Sequence, residues 1–136
     1  MTAIPSDVCA LVDARAAGHC ERCHRPLDAS WGYSRQHRRP GGMGGSRMGH
    51  IWSPANLVML CGHATAPGGC HYWAESQRHA AKATGYLLEP SDHPDTVPYR
   101  DTDGHWWLLT HDGGKVPVQL PWAVEQAADI VIGAYP

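Results

Sequence analysis

Two pairs of cysteines are the residues of this 136-residue chain best suited to chemistry. Cys20 and Cys23 form a Cys-x-x-Cys knuckle, and Cys61 and Cys70 stand at the ends of an eight-residue loop. Zinc at a structural site takes four thiolate or imidazole ligands in a tetrahedron. The two pairs can close on one ion, with His19, His24 and His63 as rival ligands. Between and after these cysteines come His37, Asn56 and His71, in that order. A neutral imidazole titrates near physiological pH and can accept a proton from water, which makes His37 a candidate general base. Arg35, Arg38, Arg39 and Arg47 stand around His37 with no acid among them, a cluster that fits phosphate contact.

A small set of elements has to position these groups. Pro5 and Ser6 open a short amphipathic helix, with Ser6 as N-cap, Val8, Leu11 and Val12 as its apolar stripe, and Gly18 at its stop. Cys9 lies beside that stripe without a partner at ligand spacing and reads as a core thiol. Residues 31–37 alternate as a strand does. Residues 40–54 are glycine-rich and lack any periodicity, so they form a long loop, and loops of that length usually have a function. Residues 56–61 form a short apolar strand, and residues 71–84 one helix ended by Gly85. The fold class is therefore α+β: a small zinc-stapled domain running strand, loop, strand, helix after an N-terminal helix.

Past residue 88 the chain turns Pro- and Asp-rich, which places a boundary near Glu89 and divides the chain into 1–88 and 89–136. The first part carries nine Lys/Arg against five Asp/Glu; the second carries two against eight and is an acidic extension. Within it, 105–110 and 115–118 read as a β-hairpin across His111-Asp112-Gly113-Gly114, with Pro117 confining its strand to an edge. One of Trp106 and Trp107 belongs to the core and the other is half-exposed; residues 121–132 form a last helix. With 15 Gly, 11 Pro and no Phe the core is thin, and small cores of this kind need a staple. No apolar run is long enough for a membrane, and the N-terminus lacks a signal-peptide pattern. The expected setting is a reducing cytoplasm, where such cysteines favour zinc over disulfides.

The stretch Gln36-His37-Arg38-Arg39-Pro40-Gly41-Gly42-Met43-Gly44-Gly45-Ser46, then Ser53-Pro54-Ala55-Asn56-Leu57, then Cys70-His71, resembles the HNH endonucleases, in particular the short ones carried by tailed phages of actinobacteria. The likeness covers roughly residues 4–90. It implies a ββα-metal fold and metal-dependent hydrolysis of DNA phosphodiester bonds, with His37 as base. Asn56 would orient the loop and the base or contact the metal, and His71 would ligate a catalytic cation. Four thiolates leave structural zinc no open position, so that cation is a second one, Mg²⁺, Mn²⁺ or Ni²⁺. Two positions depart from the family pattern. Gln36 stands where the family usually has a metal-ligating His or Asp, and Glu75 where many members have a second helix His. Both are candidate cation ligands. The implied partners are double-stranded DNA and the large terminase subunit of a phage, in the host cytoplasm, with no membrane. Two alternatives stand beside this: a zinc-stapled DNA-binding module with lost or weak cleavage, motivated by Gln36, and an accessory subunit of a packaging complex, suited to the acidic tail.

Overall fold

The computed structural model describes residues 3–40 and 51–134. Among them the chain forms a small α+β domain with one two-stranded and one three-stranded antiparallel sheet. Helix α1 (Ser6–Ala16) starts after Pro5, and no side chain caps it, so Ser6 is its first residue and not its N-cap. It ends at Ala17, which takes the left-handed conformation one residue before Gly18. The helix packs through Val12 and Ala16, with Ile4 and Val8 flanking, against Leu57 and Met59. Those positions recur every four residues, one face of a helix. Leu11 faces outward, 40% exposed.

Strand β1 (Tyr33–His37) starts two residues later than its pattern suggests, after Gly32 at φ +94. It pairs antiparallel with β2 (Leu57–Cys61), with Tyr33 opposite Cys61 and His37 opposite Leu57. Every residue of β2 is buried, as its unbroken apolar run requires. A 3₁₀ turn, Pro54–Asn56, leads into it and is capped by the Ser53 hydroxyl on Ala55 N–H. The single helix expected over 71–84 is two: α2 (Cys70–Ser76) and α3 (Arg78–Ala83), broken at Gln77. The Ser76 hydroxyl donates to the Tyr72 carbonyl, and a serine that bonds back in this way bends a helix. Gly85 ends α3 at φ +82, with Pro98 O and Tyr99 Cα where a Cβ would stand.

Beyond Glu89 the chain adds β3 (Tyr99–Arg100), β4 (Trp106–Leu109) and β5 (Lys115–Val118), in the order β3-β4-β5, and then α4 (Trp122–Ala134). Pro117 sits on the edge strand β5 opposite Trp107. Trp106 is buried and Trp107 half-buried. The core runs straight through the boundary expected at Glu89, since Tyr99 and Leu109 belong to the same buried cluster as Val58, Leu60, Cys61 and Tyr86.

Arg38 ties the two parts together. It is fully buried, and its guanidinium donates to the carbonyls of Gly85, Ala55, Pro94 and Val97. Burial, reinforced by the nearby Arg15 charge, lowers its pKa to about 10, so it remains a cation at neutral pH. This corrects the expectation that Arg38 meets DNA: all its described bonds run inward. Arg38→Met is expected to destabilise the chain by about 3–5 kcal/mol, because it strips buried acceptors of a charged donor. The shift in urea midpoint checks this; an unchanged midpoint would mean that water satisfies the carbonyls.

Candidate metal centre and cleft

Cys20 and Cys23 follow α1, Cys61 ends β2 and Cys70 opens α2. Their sulfurs all lie within 4.8 Å of one another, with Cys23 Sγ 3.6 Å from Cys61 Sγ, and none is in a disulfide. Tetrahedral zinc with Zn–S bonds of ~2.3 Å holds sulfurs ~3.8 Å apart. The cluster therefore fits a structural metal such as zinc. A backbone contact closes it. A Cβ on Gly62 would stand 2.8 Å from Gly69 Cα, and one on Gly69 would stand 2.7 Å from Cys61 O. The eight-residue loop returns on itself at those two glycines, and so brings Cys70 back to Cys61.

The thiols hold their protons unequally. Hydrogen bonding from Cys20 first, then from Cys61 and Cys70, lowers the pKa of Cys23 below the usual thiol value, the direction that favours a thiolate. The three rival histidines stand elsewhere: His19 Nδ1 meets Ala17 O, His24 Nε2 meets Asp101 Oδ2 at 3.1 Å, and the His63 ring lies against Gly32. His24, Asp101 and Asp103 also lie close together, but the buried Asp101 carboxylate already accepts from Trp107 Nε1 and from the backbone of Asp103 and His105.

On the other side of α2 a cleft of ≈ 490 Å³ lies between β1, α2 and α3, lined among others by Gln36, His37, His71, Glu75, Arg78 and Lys82. His37 ends β1, and its ring stands edge-on to Trp52, centroids 5.3 Å apart. Burial lowers its pKa below the usual 6.5, so the imidazole is neutral at physiological pH. His71, in the first turn of α2, is lowered by burial as well, with Glu75 acting in the opposite sense. Gln36 is 6% exposed; both atoms of its carboxamide, and His71 Nδ1, are buried without a hydrogen-bond partner among the described residues. Buried polar atoms are rarely left so, and these line one cleft.

Asn56 takes a different place. It is fully buried; its Oδ1 accepts from Arg39 N–H, and its Nδ2 donates to Arg39 O and Ile51 O. It thus pins the chain on both sides of residues 41–50, and its amide is committed to backbone. Of the two roles expected of Asn56, orienting the loop is the one that these bonds fit. Of the four arginines assigned to phosphate, Arg38 is buried and Arg39 is only 4% exposed, bonded to Asp92 O. Arg35 reaches across to α1 and forms a two-pronged ion pair with Asp13, an acid distant in sequence. Arg47 lies outside the described residues. The exposed cations of the cleft are instead Arg78 and Lys82, each in an ion pair, with Glu75 at 3.4 Å and with Glu89 at 3.0 Å. Their i, i+4 spacing just after His71 was the sequence signal for them.

Comparison with family models, with curated proteins and with solved structures returned no match to this chain. Among the described residues no helix is long and apolar enough to cross a membrane.

Proposed function

We propose that the chain is a metal-dependent endonuclease of the HNH kind, hydrolysing phosphodiester bonds of double-stranded DNA. The observation that supports this most is the cleft itself: it is lined by a neutral imidazole, His37, and by Gln36 and His71, whose buried polar atoms have no partner among the described residues. The order β1, β2, α2, with His37, Asn56 and His71 on or next to those elements, supports the ββα-metal reading of the fold. Neutral His37 takes a proton from the attacking water. Asn56 fixes the backbone next to His37 through Arg39. Gln36 Oε1, His71 Nδ1 and the Glu75 carboxylate are the groups suited to a divalent cation, Mg²⁺, Mn²⁺ or Ni²⁺. When bound there, such a cation would stabilise the charge that develops on the phosphate. Arg78 and Lys82 can exchange their exposed carboxylate partners for phosphate at little cost, since exposed pairs are worth ~0–1 kcal/mol.

Supercoiled plasmid incubated with purified protein and each metal should be nicked or cut, and EDTA should stop it. A folded protein that binds plasmid and leaves it intact with all three metals would favour the second reading, a DNA-binding module with lost cleavage. Gln36 motivates that reading, because a carboxamide brings no charge to a cation. The HNH likeness further suggests work beside a phage large terminase subunit in the host cytoplasm. An accessory packaging role without chemistry would leave His37 and the cleft unexplained.

Gln36→Asp is expected to lower the half-saturating Mg²⁺ or Mn²⁺ concentration for cleavage, since an added carboxylate strengthens the hold on a hard cation. Rate at saturation changes less predictably, because tighter binding speeds a reaction only where it favours the transition state. A half-saturating concentration that does not fall would take Gln36 out of the cation site.

A further inference from the structure

We propose that Arg22 shields the Cys70 thiolate of the metal centre, setting how readily that sulfur reacts and hence how long the ion is held. Four thiolates around a divalent ion carry a net charge of −2, and thiolate sulfur is the nucleophilic form. A groove of ≈ 490 Å³, lined by Arg22, Cys23, Cys61, Cys70 and Trp73 among others, leads solutes to this cluster. Cys70 is itself 4% exposed, so burial limits access to it, and the groups at the sulfur set the reactivity that remains. Arg22 Nη1 donates to Cys70 Sγ at 3.3 Å. Cys61 Sγ by contrast meets a neutral donor, the Cys70 backbone N–H at 3.5 Å. A charged donor makes the stronger bond and draws more electron density from the sulfur.

The guanidinium is held in that position from two sides. Its central carbon lies 3.5 Å from the centroid of the Trp73 ring, and Trp73 follows Cys70 by three residues on α2, so both face the same way. The Arg22 carbonyl accepts from Thr102 N–H and from Thr102 Oγ1, fixing the backbone from which the side chain leaves. The next arginine in the chain, Arg25, lies outside the knuckle and is stacked on Trp31. Groups around a metal's ligands tune both affinity and reactivity, and Arg22 fits that role by charge as well as by place.

The test treats zinc-loaded native protein with iodoacetamide and follows each cysteine by peptide mapping, with a chelating dye recording released zinc. In the reaction the Cys70 sulfur displaces iodide from the methylene carbon. A C–S bond forms, the C–I bond breaks, and iodide leaves with its electron pair. The neutral thioether is a poor ligand, so the ion passes to the dye. Arg22→Met should raise Cys70 labelling and zinc release about fivefold, the rate equivalent of ~1 kcal/mol. Arg22→Lys, which keeps the charge, should restore most of the protection, and Arg22→Gln, a neutral donor, less. Trp73→Leu frees the guanidinium from its stack and should raise Cys70 labelling by a smaller factor, which keeps the test open if Arg22→Met does not fold. Unchanged Cys70 labelling in these folded, zinc-loaded variants would overturn the proposal. An equal rise at Cys23, Cys61 and Cys70 would do the same, since that is general loosening, and so would native protein isolated without zinc.

Discussion

A Cys20→Ser chain is expected to emerge without zinc and without a stable fold. Cys20 is fully buried, and it shares the main core cluster with Cys61, Cys70, Leu60 and Tyr86. The four-cysteine cluster and the hydrophobic core are thus one body, so a chain that cannot hold a metal at the cluster would carry the disturbance into the core. Structural zinc contributes ~10–16 kcal/mol in small domains, as much as the whole stability of an ordinary one, ~5–15 kcal/mol. No other single substitution in this chain should cost more. Elemental analysis of native protein should give one zinc per chain, and circular dichroism of the variant should show the fold lost. Native protein free of zinc, or a Cys20→Ser chain with an unchanged melting temperature, would contradict the metal-stapled reading.

His37→Ala should have the opposite signature: fold and zinc kept, cleavage lost. The side chain touches the Trp52 ring edge-on and takes no part in the sulfur cluster, so its removal leaves the clip in place. A positioned general base contributes ~10²–10⁴-fold, and cleavage of supercoiled plasmid should fall by that order. The pH profile adds a sharper check. Burial holds the His37 pKa below 6.5, so the base form predominates at neutral pH and the rate should be level there. As pH falls through the lowered pKa the imidazole takes a proton and can no longer accept one from water, so the rate should drop along an acidic limb with its midpoint under 6.5. His37→Ala should lack that limb. Undiminished cleavage by folded His37→Ala protein would remove His37 from the chemistry, and a midpoint above 6.5 would contradict a buried neutral ring.

Local pattern carried a good part of this protein. The Cys-x-x-Cys knuckle, the paired Cys61 and Cys70, the apolar run of β2 and the glycine stops are properties of a few neighbouring residues, and they are legible wherever the chain ends up. The expected α+β class, the two central strands and the edge position of Pro117 rest on such short-range rules. The helix expected over 71–84 is broken at Gln77, next to Ser76, whose hydroxyl turns back onto its own helix at Tyr72, an option that composition does not distinguish from a solvent-facing serine.

Tertiary structure decided what the charged and polar residues do. In sequence Arg35, Arg38 and Arg39 are one basic run; in the fold they have three separate fates. Arg35 meets Asp13 22 residues away, and Arg38 gathers carbonyls 17 to 59 residues away. Arg39 goes to Asp92 O, 53 residues away. Asn56, expected to orient the loop or to meet metal, has its amide bonded to Arg39 and Ile51, whereas buried polar atoms of Gln36 and His71 at the cleft have no partner among the described residues. The sequence alone determined which groups could do chemistry and which short elements would carry them. Which of those groups face solvent, which are consumed by the core, and where the acidic extension joins that core depended on partners dozens of residues away. A buried charge or amide takes whatever acceptor or donor the fold delivers, because leaving it unpaired costs more than any local preference.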